Sequence, residues 1–202
     1  MCARTGRAKP LSRDERRAAI LEAVIPLLLE RGASVTTAEM ADAAGIAEGT
    51  IFRAFPDKAT LLHEAVTATM DPLPLREILR QIPPDAPFRD QLLAATTALM
   101  GYLERGAALM GILRGMPPTG SRSGPGSRRR ALDSQALIVA ELTTIMDRQR
   151  DRLAVTSGQA AAVLRGLVFA NIHPWLAPAE RMTAEQIVTV LLTGVLADEA
   201  AT

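Results

Sequence analysis

Few residues in this chain could do covalent or metal chemistry. His63 and His173 are its only histidines, and Cys2 is its only cysteine. The histidines are far apart, and neither has a second histidine or cysteine four residues away. His63-Glu64 fits an ordinary exposed helix pair. His173, ahead of Pro174-Trp175, fits a helix end, where an imidazole meets the helix dipole favourably. A lone thiol excludes an internal disulfide framework and a thiolate zinc site. No phosphate-binding glycine loop and no nucleophile signature is present. These features argue against an enzyme and predict neither metal nor cofactor.

The informative pattern runs from Thr36 to Lys58, TTAEMADAAGIAEGTIFRAFPDK. Its spacing is that of a helix-turn-helix. Ala41 precedes Gly45 by four residues, and Ile51 follows Gly45 by six. The first helix must cross the second closely, which requires a small inward residue such as Ala41. The tight turn requires a residue that accepts positive φ, and Gly45 does so. Met40, Ala44, Ile46 and Ile51 supply a shared core. Such a unit projects its second helix toward a major groove about 12 Å wide.

The segment resembles the DNA-binding domain of the tetracycline-repressor (TetR) family of transcriptional regulators. The family's two threonines, Ile-Ala pair, Ala-Gly turn, Gly-Thr-Leu-Tyr recognition helix, Phe and Lys correspond to Thr36-Thr37, Met40-Ala41, Ala44-Gly45, Gly49-Thr50-Ile51-Phe52, Phe55 and Lys58. Glu30-Arg31-Gly32 before the threonines and Leu61-Leu62 after the lysine extend the match. The resemblance implies double-stranded DNA as a partner, contacted by Thr36, Thr37, Glu48, Gly49, Thr50, Phe52, Arg53 and Lys58. Glu48 can accept from cytosine N4, and Arg53 can fork onto guanine O6 and N7. Four positions depart from the pattern. Ala47 lacks a capping side chain, Phe52 lacks the usual tyrosine hydroxyl, and Ala38 and Ala54 offer only methyl groups. They leave open a second reading, a helical small-molecule binding or scaffolding protein whose helix-turn-helix is vestigial.

The elements that must position these residues read as helices throughout, an all-α chain. Ile20, Leu21, Val24, Ile25, Leu28 and Leu29 form one apolar stripe. A Ser12/Glu15 capping box opens that helix and Gly32 stops it, with Pro26 inside. Thr36/Glu39 opens the next helix, and one from about Ala47 to Ala54 follows. Asp57 caps a helix running to about Met70. The prolines at 72 and 74 mark a boundary, giving an N-terminal three-helix DNA-binding domain at 1–71 and a helical domain at 72–202. Residues 1–11 read as a flexible basic arm. Arg4, Arg7, Lys9, Arg13, Arg16 and Arg17 either solubilise the terminus or follow the phosphate backbone.

In the second half, Leu75 to Gln81 reads as a short helix and Pro87 as the first residue of a longer one. Residues 117–130 read as a proline-, glycine- and serine-rich loop, either disordered or a lid. A helix from about Leu132 to Leu153 follows, then two opened by Thr156/Gln159 and Thr183/Gln186. The first of these two is apolar nearly all round, and the last is less strongly so. One small domain cannot bury both, which predicts a homodimer packed through Leu164, Gly166, Leu167, Phe169, Ala170, Val190, Leu191 and Gly194. The family resemblance implies the same dimer. An apolar effector pocket is expected among Leu92, Thr96, Leu99, Met100, Leu103, Met110, Leu113, Met116, Leu142, Met146 and Phe169, although methionine stripes also serve as ordinary core.

Composition bounds the rest. Lys+Arg total 23 against 22 Asp+Glu, so any nucleic-acid affinity must come from a local patch. Aromatic residues make up only 3%, which disfavours a stacking platform for single strands. The most apolar run, from Ala160 to Ile172, is too short to span a bilayer and contains Arg165 and Asn171. No signal peptide is legible, so a cytoplasmic location and no membrane partner are expected. The reading that unites these observations is a dimeric, ligand-responsive transcriptional regulator, a repressor released from a palindromic operator by a hydrophobic small molecule.

Overall fold

The computed structural model describes residues 12–114, 125–173, 176 and 179–195, with only the backbone described for 125–132 and 195. The helices are α1 (Arg13–Arg31), α2 (Thr37–Ala43), α3 (Glu48–Ala54), α4 (Lys58–Thr69), α5 (Leu73–Arg80), α6 (Phe88–Arg114), α7 (Pro125–Asp147), α8 (Ser157–Ile172) and α9 (Ala184–Val195). The all-α class is as the periodicity requires. No helix among the described residues is long and apolar enough to cross a membrane.

Local chemistry sets the boundaries. The Ser12 hydroxyl accepts from the Glu15 amide, and the Glu15 carboxylate accepts from the Ser12 amide. The same reciprocal pair opens α2 through Thr36/Glu39, α8 through Thr156/Gln159 and α9 through Thr183/Gln186. Each pair satisfies two amides that the first helical turn leaves without partners. Asp57 accepts from the Thr60 amide at 2.6 Å and starts α4. Gly32 ends α1 at φ 66°. Pro26 is tolerated because it lies on the exposed side of α1, opposite the buried Ile20, Val24 and Leu28.

The chain forms two compact units. One contains the described residues up to Ala68 together with the end of α6 from Leu109; the other contains Thr69 to Ala108 and the helices from α7 onward. In the first unit α1, α2, α3 and α4 bury Val24, Leu28, Met40, Ala41, Ile51, Phe55, Leu61 and Leu62. Arg17 ties three of these helices together. Its guanidinium donates to the Ala54 carbonyl at the end of α3, pairs with Glu64 on α4, and lies 4.6 Å from the centre of the Phe55 ring.

In the second unit one apolar core joins α5 to α9, with Leu79, Leu92, Leu99, Ile138, Leu142, Leu164, Val168, Ile187 and Leu191 at its centre. Two of its buried polar side chains, Gln91 and Asn171, have several partners each. Gln91 donates to the Pro84 and Ala86 carbonyls and accepts from Arg148. Asn171 exchanges two bonds with the backbone of Met182, fixing the connection from α8 to α9. Arg76 and Arg80 on α5 both reach Glu141 on α7.

Three boundaries differ from expectation. α7 starts at Pro125, inside the segment read as loop, because proline sits well at a first helical position. α7 also stops at Asp147, and a short 3-10 turn at Arg150–Arg152 replaces its expected last turn. Pro87 precedes α6 instead of opening it, its carbonyl accepting from Asp90 and Gln91. The expected basic arm at 1–11 and most of the expected loop lie outside the described residues.

Two predictions follow from the first unit. Arg17→Met keeps the stem on Phe55 but strands the Ala54 carbonyl and the Glu64 carboxylate; it should cost about 2 kcal/mol, read from urea unfolding. The second concerns Glu39. The Thr36 amide and hydroxyl, and then Arg31, hold its carboxyl at about 2, below the ordinary 4.5. A lowered folded pKa gives stabilisation that is complete above 4.5 and is lost as pH falls toward 2. The gap in melting temperature between wild type and Glu39→Gln should therefore narrow across that window. A gap independent of pH would contradict the assignment.

Candidate nucleic-acid interface

The turn between α2 and α3 is built as the sequence requires. Ala41 is buried where the helices cross, and Gly45 adopts φ 63°. The Gly45 amide donates to the Asp42 carbonyl and the Ile46 amide to the Ala41 carbonyl, both at 3.0 Å. Met40 and Ile51 are buried, as the shared core needs, whereas Ala44 and Ile46 are only half-buried at its edge. Ala47 caps α3 without a side-chain bond. The first turn of α3 instead carries Glu48, whose charge suits the positive end of a helix.

α3 has two distinct faces. Ile51 and Ala54 point into the first unit, and Glu48, Gly49, Phe52 and Arg53 are exposed, with Thr50 half-buried beside them. Phe52 is 49% exposed and Phe55 is fully buried, so the two aromatics divide between surface and core. With its side chains an α-helix such as α3 is about 10–12 Å across, which matches the width of a major groove.

The remaining expected contact residues have identifiable partners. The Thr36 hydroxyl caps α2. The Thr37 hydroxyl donates to the Glu48 carboxylate, which fixes that side chain across the turn. The Lys58 ammonium donates to the Ala33 carbonyl at 3.0 Å and retains two further donors. Arg53 makes no hydrogen bond or ion pair among the described residues. A Cβ at Gly49 would meet nothing within 4 Å, so the packing of this chain does not require glycine there.

In the sequence Arg13, Arg16 and Arg17 group with the basic residues of the N-terminal arm. The structure places all three on the first two turns of α1. Arg17 faces inward and secures the end of α3, a role with no local signal, since its partners lie 37 and 47 residues away. Arg13 and Arg16 instead line a surface groove with Thr50, Arg53 and Ala54.

The expected apolar pocket residues divide. Leu92, Thr96, Leu99, Leu142 and Met146 are buried, and Met100 and Leu103 pack partly buried against the core of the second unit. The Thr96 hydroxyl is engaged by the Leu92 carbonyl of its own helix at 2.7 Å. Met110 is exposed and Leu113 half-buried, both in the first unit, and Met116 lies outside the described residues. Phe169 is 43% exposed, its ring 4.8 Å from that of His173. Among the described residues, no cluster of three or more His, Cys, Asp or Glu side chains could hold a metal ion.

Comparison with known proteins agrees with this geometry. Residues 20–65 match the family model for bacterial regulatory proteins, tetR family. No curated protein sequence matches the chain. Among solved structures, a putative TetR-family transcriptional regulator from Mesorhizobium loti is 17% identical with a TM-score of 0.62, over 93% of this chain and 100% of that one. NalD, the secondary repressor of the MexAB-OprM multidrug efflux pump in Pseudomonas aeruginosa, is 23% identical with a TM-score of 0.55, over 92% and 99%. The ketosteroid transcriptional regulator KstR2 of Mycobacterium tuberculosis is 18% identical with a TM-score of 0.52, over 94% and 98%. Residues 20–65 thus match the tetR-family model, and the chain as a whole shares its fold with solved structures of TetR-family transcriptional regulators.

Proposed function

We propose that the chain is a dimeric repressor of transcription that leaves its operator when a hydrophobic small molecule binds. The observation that carries the DNA part is the outward face of α3. Its exposed residues are two that hydrogen-bond, one bare glycine and one aromatic ring, while its apolar residues are buried. Gly49 supports the same reading. Glycine is a poor helix former, yet none of the described residues comes within 4 Å of where a Cβ at Gly49 would lie. That clearance suits the close approach of a DNA strand. Thr36, Thr37, Glu48, Gly49, Thr50, Phe52, Arg53 and Lys58 form the proposed contact surface, within a DNA-binding domain at 1–71.

The dimer is supported by α8 and α9. Their buried sides hold Leu164 and Leu191 in the chain's own core, which removes those two from the expected interface. Val163, Gly166, Phe169, Val190 and Gly194 are exposed, with Leu167 and Ala170 half-buried at the margin. A Cβ at Gly166 or Gly194 would meet nothing within 4 Å, leaving room for another backbone to approach. A large apolar face of this kind marks an interaction surface in a soluble protein. A second copy fits it, since identical helices can pack across a two-fold axis and pair the two α3 helices on a palindrome.

The regulatory part draws on NalD, described as a repressor, and KstR2, described as a ketosteroid regulator. The proposed effector site lies among Leu92, Leu99, Met100, Leu103, Leu142 and Met146 in the domain at 72–202. An effector there switches DNA binding only if it favours one conformation of the dimer over the other.

Two outcomes test the proposal. The wild type should sediment as a dimer at micromolar concentration, and Phe169→Arg as a folded monomer, because that side chain is outside the chain's own core. A monomeric wild type contradicts the dimer. Gly49→Ala should leave thermal stability equal or slightly raised while weakening operator binding in a fluorescence titration. Unchanged affinity would mean that no DNA strand comes close at Gly49.

A further inference from the structure

We infer that Thr37 and Glu48 act as one unit that selects cytosine in the operator: Thr37 aims the carboxylate, and Glu48 accepts from the exocyclic amine of the base. This rests on the DNA-binding reading above and deepens it, giving Thr37 a positioning role and naming the base that Glu48 demands. Across the turn, the Thr37 hydroxyl donates to Oε1 of Glu48. A threonine hydroxyl has one hydrogen to give. With that hydrogen committed to Glu48, Thr37 has none for a phosphate oxygen. The Thr36 hydroxyl is committed in the same way, donating to the Glu39 carboxylate at 2.9 Å. In this arrangement neither threonine donates to the DNA backbone through its side chain.

Thr37 is the first residue of α2 and Glu48 the first of α3, so their bond ties the starts of the two helices together. Thr37 is half-buried and Glu48 exposed. The held end of the pair thus belongs to the scaffold and the aimed end to the surface. The group that holds the carboxylate is neutral, so Glu48 keeps its charge. Its second oxygen, Oε2, has no hydrogen-bond partner among the described residues. Recognition helices contact base edges mainly through their N-terminal residues, which is where Glu48 lies.

An anion on a DNA-facing surface is repelled by every phosphate, whatever the sequence. Only a base with a donor on its major-groove edge offsets that repulsion. Cytosine N4 and adenine N6 donate there, whereas guanine and thymine present acceptors. Adenine also places its N7 acceptor beside N6, which repels the other oxygen of a carboxylate. Cytosine has no acceptor on its own major-groove edge. A carboxylate aimed in advance therefore favours cytosine and disfavours the other three bases, which is discrimination by repulsion as much as by attraction.

The test uses the full chain. Wild type, Glu48→Gln, Thr37→Val and Thr37→Ser each select duplexes from a randomised pool. Fluorescence anisotropy then gives their affinities for the wild-type site and for versions with the cytosine pair replaced. Wild type should lose about fivefold or more on replacement of that one pair. Glu48→Gln should lose discrimination there and keep it elsewhere, because an amide can also donate to guanine O6 or thymine O4. Thr37→Val should weaken the same preference, and Thr37→Ser, which returns the hydroxyl, should recover it. In the Glu48→Gln background, Thr37→Val should change the preference no further. Any base other than cytosine at the position that depends on Glu48 overturns the proposal. So does a Thr37→Val that weakens all duplexes by one factor, the mark of a backbone contact. Lowered melting temperatures with wild-type preference would make the pair a brace between α2 and α3 and overturn it as well. A wild type that binds no duplex, or all alike, overturns the DNA reading itself. A selective wild type with indifferent variants overturns this assignment alone.

Discussion

A helix of seven residues cannot hold its own shape in water, because the cost of forming the first turn exceeds what about one further turn returns. α3 therefore depends on what grips it from behind. Ile51, Ala54 and Phe55 supply buried apolar area, but apolar contact alone does not fix the rotation of a short cylinder. Arg17 does. Its guanidinium binds the last carbonyl of α3 and the carboxylate of Glu64, with its plane near Phe55. One cation thereby sets the end of α3 against α1 and α4, and the outward residues inherit their direction from that contact.

With α3 held from behind, its front can be arranged for a partner. Gly49 leaves room at some cost in helix stability, Phe52 is exposed despite being aromatic, and Glu48 is held by Thr37 before any base arrives. A carboxylate fixed in advance loses less entropy when it meets an exocyclic amine, which favours selectivity over bulk affinity. The absent tyrosine hydroxyl at Phe52 and the absent cap at Ala47 remove two polar groups from this surface. Positive charge instead gathers beside α3, at Arg13, Arg16 and Arg53.

How much of this was legible in the sequence depends on the range of the interaction. The four capping boxes, the stop at Gly32 and the positive φ at Gly45 involve residues within a few positions of each other, and the pattern reveals them directly. The two faces of α3 follow from the same short spacing. Arg17 was not legible, because its partners are distant in sequence and nothing in the run Arg16-Arg17 says which side chain turns inward. Nor could an all-apolar helix say which side faces its own core. Leu164 and Phe169 are alike in hydrophobicity, yet one is in the core of the second unit and the other is half in solvent. The start of α7 is hidden in the sequence because proline, glycine and serine read as loop even where a proline opens a helix.

The central claim is that the exposed face of α3, held by Arg17, recognises a particular DNA sequence. Mobility-shift titration of the DNA upstream of the chain's own gene, set beside a scrambled duplex of equal length and salt, tests it most directly. Binding to the upstream DNA at least a thousandfold tighter than to the scrambled duplex, or about 4 kcal/mol, is the expected result. Equal affinity for the two, or binding to neither, would contradict the account.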